Sequence, residues 1–270
     1  MSRGFRVTDE KIMLKTFGLV TPLLVALLAG AASARAQAPG TIAPARLHKS
    51  AVVTGQYVAA FDGVDDKFDA TDSGLPSGTS SRAIAFWVKP DTLATGSYQT
   101  IFGYGTYSAT HYIGAYINPA GNLMVSQYGL SGVWSLPTGG NWMHVVINIA
   151  PPVFSVYVNG SVVGSDVSMT VDTTLSGHLY YAYEQPTNTL FLAGRMADLR
   201  VYAATLSAGE VTALYNSGSV TCAAVAPTSL VRWYQMREAT GTNVRDVSAS
   251  EDHATLSNGP TRVSDSLQCP

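Results

Sequence analysis

The sequence predicts an all-β protein, a sandwich of two antiparallel sheets with one short peripheral helix. Three observations predict it. Between about residues 51 and 201, short β-branched and aromatic runs alternate with polar residues at period two, as antiparallel strands do. Clusters of Gly, Pro, Asn and Asp separate these runs. A helical pattern occurs in one place, near residue 210, so two stacked sheets are the architecture that buries the alternating side chains.

The composition excludes two classes of protein. Of the 270 residues, 46% are hydrophobic and 13% are charged, which indicates one sizeable folded domain and excludes a largely disordered chain. The formal net charge is −2, and Lys and Arg are scattered singly. Because such a surface cannot neutralise a phosphate backbone, we expect no nucleic-acid partner.

Residues 1–36 are typical of a secretory signal peptide. An apolar run over residues 17–32 follows two lysines and precedes a small-x-small cleavage site at residues 34–36. The run is shorter than the roughly 20 apolar residues that a spanning helix needs, so cleavage is favoured over an uncleaved anchor. Residues 37–50 predict a linker. We therefore expect a secreted or surface-displayed protein with no stable membrane span after cleavage.

The individual strands can be predicted from turn residues at their ends. Residues 84–89 form an alternating run that stops at Pro90, which has no N–H for the sheet. Residues 112–117 and 123–128 flank Asn-Pro-Ala-Gly-Asn and predict a hairpin. Residues 142–149 place alternate apolar side chains on one face, namely Met143, Val145, Ile147 and Ile149.

A second hairpin and the helix carry the sharpest local signals. Asn159-Gly160 lies between alternating hydrophobic residues and predicts a type I′ turn. Residues 206–215 predict a helix that begins with a Ser207/Glu210 capping box and ends before Gly218. Because the helix directly follows a strand, we expect it across an end or edge of the sheets.

Five short motifs follow one another along this body of the chain. They are FDGVDD at residues 61–66, AFWVKP at 85–90, WMHV at 142–145, VYVNG at 156–160 and GRMADLRVY at 194–202. In this order they resemble laminin G-like domains of the concanavalin A-like lectin/glucanase superfamily, and the predicted domain covers residues 51–218. The resemblance implies a jelly-roll sandwich of two curved sheets whose concave face or rim loops bind glycans or proteins, with calcium in some relatives.

Residues 219–270 have a separate resemblance to the opening strands of the same domain type, in segments such as 230–236 and 254–260. These strands either complete the sandwich or form a small appendage packed on it, and the appendage is favoured. Both cysteines, Cys222 and Cys269, lie here. In an oxidising compartment they are expected to pair, contributing about 4 kcal/mol in the chain-entropy model, with free thiols as the alternative.

The chain lacks the carboxylate pattern of a glycosidase, which needs two such groups facing one bond. The glucanase relatives carry a Glu-x-Asp-x-x-Glu or Glu-x-Asp-x-Glu run, and this chain has none. Between residues 51 and 218 the Glu residues are Glu184, in a predicted loop, and Glu210, in the capping box. We therefore predict no catalytic residues.

An acidic group is a candidate calcium site, although its spacing does not follow the EF-hand pattern. The oxygens to test first belong to Asp62, Asp65, Asp66 and Asp198. The histidines of the predicted domain are isolated from one another and from cysteine, so a transition-metal site is not expected.

Aromatic residues indicate where a ligand would bind. Tyrosines crowd residues 98–116 and 180–183. Tyrosine offers a flat face to sugar C–H groups and a hydroxyl to sugar oxygens, although tyrosines also fill the faces of ordinary sheets. Residues in predicted loops need not pack in the core, so the ligand-binding candidates are Tyr104, Tyr107, Trp134 and Tyr183.

Three functions are consistent with the sequence. The favoured one is a non-catalytic recognition module that binds a glycan or a glycosylated partner. The second is a structural or adhesion protein of a cell surface or virus particle, which would self-associate. The third is a glycoside hydrolase or polysaccharide lyase of the same superfamily.

Overall fold

Two antiparallel sheets, packed face to face, form the body of the protein. The structure, a computed structural model, describes residues 56–137, 139–166 and 169–267. The predicted signal peptide, the linker and Cys269 lie outside the described residues, so the predicted disulfide of Cys222 stays a prediction. Among the described residues there is no helix long and apolar enough to cross a membrane.

The first sheet has eight strands in the order β10-β9-β8-β3-β12-β1-β16, and β13 also pairs with β12. Its strands are β1 (Tyr57–Asp62), β3 (Arg82–Pro90), β8 (Met143–Ala150), β9 (Val153–Val158), β10 (Ser161–Asp166), β12 (Ala193–Tyr202), β13 (Leu230–Tyr234) and β16 (Thr261–Ser264).

The second sheet also has eight strands, in the order β14-β15-β2-β11-β4-β5-β6-β7. Its strands are β2 (Lys67–Ala70), β4 (Gln99–Gly105), β5 (Tyr112–Ile117), β6 (Leu123–Ser126), β7 (Ser131–Trp134), β11 (Leu179–Tyr181), β14 (Asn243–Val244) and β15 (Ala254–Ser257). The described chain thus confirms the predicted all-β sandwich.

The main core lies between the sheets and is built by alternate residues of each strand. Met143, Val145, Ile147 and Ile149 of β8 all belong to it, as their spacing predicts. Full burial of each such side chain contributes roughly 1.5–3 kcal/mol. The hairpin formed by β9 and β10 also follows the prediction, because Asn159 and Gly160 in its turn have φ of 51° and 79°.

The helix α1 (Ala208–Tyr215) begins as predicted, with Ser207 as N-cap and a complete capping box with Glu210. It ends at Asn216, which adopts the left-handed conformation with φ of 44°, before the predicted Gly218. The expected position at an end or edge of the sheets is wrong. Its buried side chains pack on the outer face of the first sheet, in a cluster made by Ala83, Ala85, Val146, Tyr202, Leu206, Val211 and Leu214.

The C-terminal segment is part of the sandwich, which corrects the favoured prediction of an appendage packed on it. Strand β16 pairs with β1 and β13 with β12 in the first sheet. Strand β15 pairs with β2 in the second sheet. The segment therefore covers strand edges of both sheets that would otherwise leave backbone hydrogen-bonding groups open.

Arg82 is a fully buried cation that fixes the loop between β2 and β3 to the sandwich. Its side chain is 0% exposed. Its guanidinium donates hydrogen bonds to loop carbonyls and to two hydroxyls, with Pro76 O at 2.7 Å, Gly78 O at 2.7 Å, Ser80 O at 2.9 Å, Tyr104 Oη at 2.8 Å and Thr173 Oγ1 at 3.0 Å. Each of these acceptors would lose a partner without it.

We expect Arg82→Met to lower the free energy of unfolding by about 3 kcal/mol or more, because it leaves several buried acceptors unsatisfied. Urea denaturation monitored by circular dichroism measures this loss. Arg245, whose side chain is exposed, supplies the control, and Arg245→Met should change stability by no more than about 0.5 kcal/mol. Equal stability of the two variants would contradict the assigned role.

His144 on β8 is a buried neutral imidazole. It is 1% exposed, and the centroid of its ring lies 5.0 Å from that of Trp87 and 6.3 Å from that of Tyr215. Burial, with a smaller contribution from the positive charge of Arg200, lowers the pKa of His144 to about 3 from 6.5. The unfolded chain therefore binds a proton below about pH 6.5 that the folded chain does not bind until about pH 3.

Because the folded pKa lies below the unfolded value, His144 should make the free energy of unfolding fall as pH decreases from about 6.5 to about 3, by up to about 1.4 kcal/mol per pH unit. Thermal denaturation across this range should show a shallower decline for His144→Gln than for the wild type. The exposed His178 is the control, and His178→Gln should keep the wild-type slope. A wild-type slope in His144→Gln would refute this account.

Candidate functional site

A groove of about 260 Å³ opens on the outer face of the second sheet, on the side away from the main core. Strands β5 and β6 form its floor, and loops from either side form its walls. Ten residues line it, namely Tyr98, Tyr107, Tyr112, Tyr116, Met124, Ser126, Tyr128, Gly129, Glu184 and Leu190. Half of them are tyrosines, so aromatic rings dominate the surface that a ligand would meet.

Two glycines let a floor tyrosine lie flat on the sheet. Gly103 of β4 and Gly114 of β5 are directly paired across the strands. A Cβ on Gly114 would lie 2.1 Å from the Tyr112 hydroxyl oxygen, and one on Gly103 would lie 2.3 Å from the same atom. Any larger residue at either position would therefore displace the ring, because real Cβ atoms do not approach so closely.

Glu184 joins the floor to one wall through a network of hydroxyl groups. Its Oε1 accepts hydrogen bonds from the hydroxyls of Tyr107, at 2.7 Å, and Tyr116, at 3.1 Å. Its Oε2 accepts one from Thr187, at 2.6 Å. The hydroxyls of Tyr112 and Tyr116 are 2.6 Å apart, so the network extends across the floor. The carboxylate is 3% exposed and is thus bonded at both oxygens inside the protein.

The network keeps its tyrosines protonated. Burial is the largest cause of the raised pKa of Tyr107, and the hydrogen bond to Glu184 adds to it. Burial also raises the pKa of Tyr116, helped by neighbouring Tyr180. Both phenols therefore stay neutral well above physiological pH.

The walls of the groove are more exposed than its floor. Tyr98, from the loop before β4, is 40% exposed, and Tyr128, from the turn between β6 and β7, is 45% exposed. The Tyr128 ring packs edge-on against Tyr107 with centroids 4.7 Å apart, and Tyr98 packs edge-on against Tyr116 at 6.4 Å. The half-buried ring of Tyr107 and the buried ring of Tyr116 thus support two exposed rings at the rim.

Of the four residues predicted to bind a ligand, two lie at or beside the groove and two lie elsewhere. Tyr107 lines the groove. Tyr183 belongs to the adjoining buried tyrosine cluster, is 4% exposed and donates a hydrogen bond to Asp69. A role in ligand binding stays a prediction for both residues.

Tyr104 and Trp134 lie elsewhere, and the expectation that they occupy open loops is wrong. Tyr104 shares the inner face of β4 with Phe102, two residues away, and is 0% exposed. Trp134 ends β7 and packs over Gly164 of β10, where a Cβ would lie 2.6 Å from the indole nitrogen. Tyr104 is enclosed in the core, Trp134 is 9% exposed, and neither ring lines the groove, so we leave both out of the candidate site.

Nine of the ten residues that line the groove were not among the predicted site residues, and Tyr128 and Glu184 are two of them. Tyr128 lies in a tight turn and has φ of 59°. Few tyrosines adopt this left-handed conformation, so the residue type does not predict it. The sequence predicts Glu184 as a loop residue with a structural role. Its partners Tyr116 and Tyr107 come from β5 and from the loop after β4. Only the folded chain brings these segments together.

Three of the four predicted calcium ligands lie together. Single carboxylate oxygens of Asp62, Asp65 and Asp66 all lie within 4.8 Å of one another. Burial, and secondarily the neighbouring carboxylates, raise the pKa of Asp66, although a backbone hydrogen bond opposes this. Calcium favours such oxygen-rich groups, and its binding here stays a prediction.

Asp198 is not part of this group. Its carboxylate is buried and accepts hydrogen bonds from Arg200, at 3.0 Å, and from the indole of Trp233, at 2.6 Å. These partners already compensate its charge, so its inclusion among the calcium ligands is wrong.

Several solved structures are similar to this chain. A candidate carbohydrate-binding protein from Bacteroides ovatus has a TM-score of 0.55 and 18% identity, over 79% of this chain and 61% of its own. A heptameric SAP-like pentraxin from Limulus polyphemus has a TM-score of 0.48 and 18% identity, over 59% of this chain and 82% of its own. The CBM40 of a Ruminococcus gnavus IT-sialidase, bound to α2,3 sialyllactose, has a TM-score of 0.47 and 13% identity, over 61% of this chain and 98% of its own.

At these identities the likeness concerns the fold alone, and this chain spans about three fifths of the Bacteroides protein. A search of curated protein sequences found no significant match. A laminin G-like family model matches residues 62–212, which is more than half of the chain. The chain therefore belongs to the Concanavalin A-like lectin/glucanases superfamily.

Proposed function

We propose that this chain is an exported, non-catalytic module that binds a glycan, free or on a glycoprotein, in the groove around Tyr107. The observation that carries the proposal is the arrangement of the tyrosine rings. Two exposed rings, Tyr98 and Tyr128, stand at the rim of a groove that is also lined by Tyr107, which is half-buried and carries a hydroxyl group. Sugars pack their C–H faces on such rings and place their hydroxyls against such polar groups.

The superfamily supports this function, because it contains lectins as well as glucanases. The Bacteroides structure is named as a candidate carbohydrate-binding protein, which agrees with the proposal. Export follows from the signal peptide predicted at residues 1–36, and detection of the processed chain outside the cytoplasm would test it.

The chemistry of the groove favours binding over cleavage. A glycosidase needs two carboxylates on either side of one bond. Among the described residues that line the groove, Glu184 is the single carboxylate, and its oxygens are occupied by Tyr107, Tyr116 and Thr187. A lyase that used a tyrosine base would need a lowered pKa, whereas burial raises the pKa of Tyr107.

Self-association, the second function considered from the sequence, stays a prediction. Exposed apolar side chains occur on β7 and β10, the strands at neighbouring edges of the two sheets, with Val133 51% exposed and Val162 62% exposed. Light scattering of the purified chain would decide the matter, since an assembly protein should form oligomers and a monomer would argue against that role.

We expect Tyr128→Ala to weaken glycan binding about tenfold, because it removes an exposed stacking surface worth roughly 1.4 kcal/mol. Tyr98→Ala should have a similar effect from the opposite wall. A glycan array identifies the ligand, and isothermal titration calorimetry then gives the affinities of the variants.

The control is Tyr57→Ala, which removes a half-buried tyrosine from β1 in the other sheet and should leave the affinity unchanged. Wild-type glycan affinity in both Tyr128→Ala and Tyr98→Ala would show that the binding site is not in this groove. Shortening of the bound glycan by the purified protein would disprove the non-catalytic part of the proposal.

A further inference from the structure

The hydroxyl protons of Tyr107, Tyr112 and Tyr116 are all used within the network around Glu184. Tyr107 donates its one hydroxyl proton to Oε1. Tyr116 donates its proton to the same oxygen, so the hydrogen bond between Tyr112 and Tyr116 takes its proton from Tyr112. A phenol has one proton and accepts through its lone pairs. These three hydroxyls therefore have no proton left to donate to a ligand.

Tyr107 is the member of this network that a ligand can reach. Its side chain is half-buried and lines the groove, whereas Tyr112 and Tyr116 are 1% and 4% exposed. Its raised pKa, caused mainly by burial, keeps the proton on the phenol at neutral pH. Because its one proton is donated to Glu184, the Tyr107 hydroxyl can meet a ligand only as a hydrogen-bond acceptor.

The charge of the groove also favours a ligand that donates hydrogen bonds over one that carries a negative charge. Glu184 carries the negative charge at its base, and no Lys or Arg occurs among the described residues that line it. A carboxylate or sulfate brought into the groove would meet a like charge in a partly desolvated site, with no cation to compensate it. A hydroxyl or an ammonium group would instead donate to Tyr107, and an ammonium would also be attracted to the tyrosine rings.

We infer that the groove selects glycans that present hydrogen-bond donors, that is neutral or amine-bearing sugars, and rejects sugars that carry carboxylate or sulfate groups. The inference rests on the proposed glycan-binding function. It assigns Glu184 the role of a positioning residue, which acts by directing the Tyr107 proton away from the ligand.

An array of neutral, amine-bearing, carboxylated and sulfated glycans tests the inference. Binding confined to the neutral and amine-bearing members is expected. For each hit, calorimetry then compares the neutral sugar with the corresponding uronic acid and with the methyl ester of that acid, which removes the charge. The acid should bind at least about tenfold more weakly than the neutral sugar, and the ester should recover part of the loss.

The outcomes separate the two proposals. Binding that requires a carboxylate or sulfate would overturn the donor-selective groove and leave glycan binding intact. An array with no bound glycan of any class would overturn the proposed function and this inference together.

Two variants test the role of Glu184 itself. Glu184→Gln removes the charge at nearly constant shape and should narrow the preference for neutral over acidic sugars by about tenfold. An unchanged preference in the folded variant would overturn the inference. Circular dichroism and a thermal melt establish that it is folded.

Tyr107→Phe keeps the ring and deletes the acceptor, so it tests the same idea if Glu184→Gln does not fold. We expect it to weaken binding of the neutral sugar about tenfold. Tyr57→Phe, in the first sheet, is the matched control and should bind as the wild type does. Wild-type affinity of Tyr107→Phe would overturn the inference.

Discussion

Successive side chains of a strand point to opposite faces, and this constraint gives the second sheet two different surfaces. In β5, Ile113 faces the main core while Tyr112 faces the groove. In β11, Tyr181 faces the core and Tyr180 belongs to the outer tyrosine cluster. The sandwich and the candidate site are therefore built by the same strands, and the packing that stabilises one holds the other in place.

The polar groups at the base of the groove bind one another before any ligand arrives. Burying the carboxylate of Glu184 is costly, and the hydroxyls of Tyr107, Tyr116 and Thr187 offset that cost. The same bonds fix the rings that support the exposed walls. A ligand would then lose little binding free energy to ordering the protein.

The sequence predicted most of the fold and part of the site. The strand pattern, the Asn159-Gly160 turn and the Ser207 cap are local signals, and the structure confirms them. Local signals also indicated the tyrosine-rich segments. That Tyr104 lies in a strand, and that it points into the core on the same face as Phe102, is shown only by the structure. Glu184 meets Tyr107 across the sheet, and long-range contacts of this kind leave no mark in local spacing.

The place of β1 in the first sheet has a consequence for the order in which the protein folds. This strand is the first of the described chain, yet both of its neighbours, β12 and β16, come from the last third of the sequence. During synthesis β1 therefore waits for nearly the whole polypeptide before its backbone is satisfied on both sides. We therefore expect closure of this sheet to be a late step of folding, because pairing of strands that are distant in sequence is intrinsically slow.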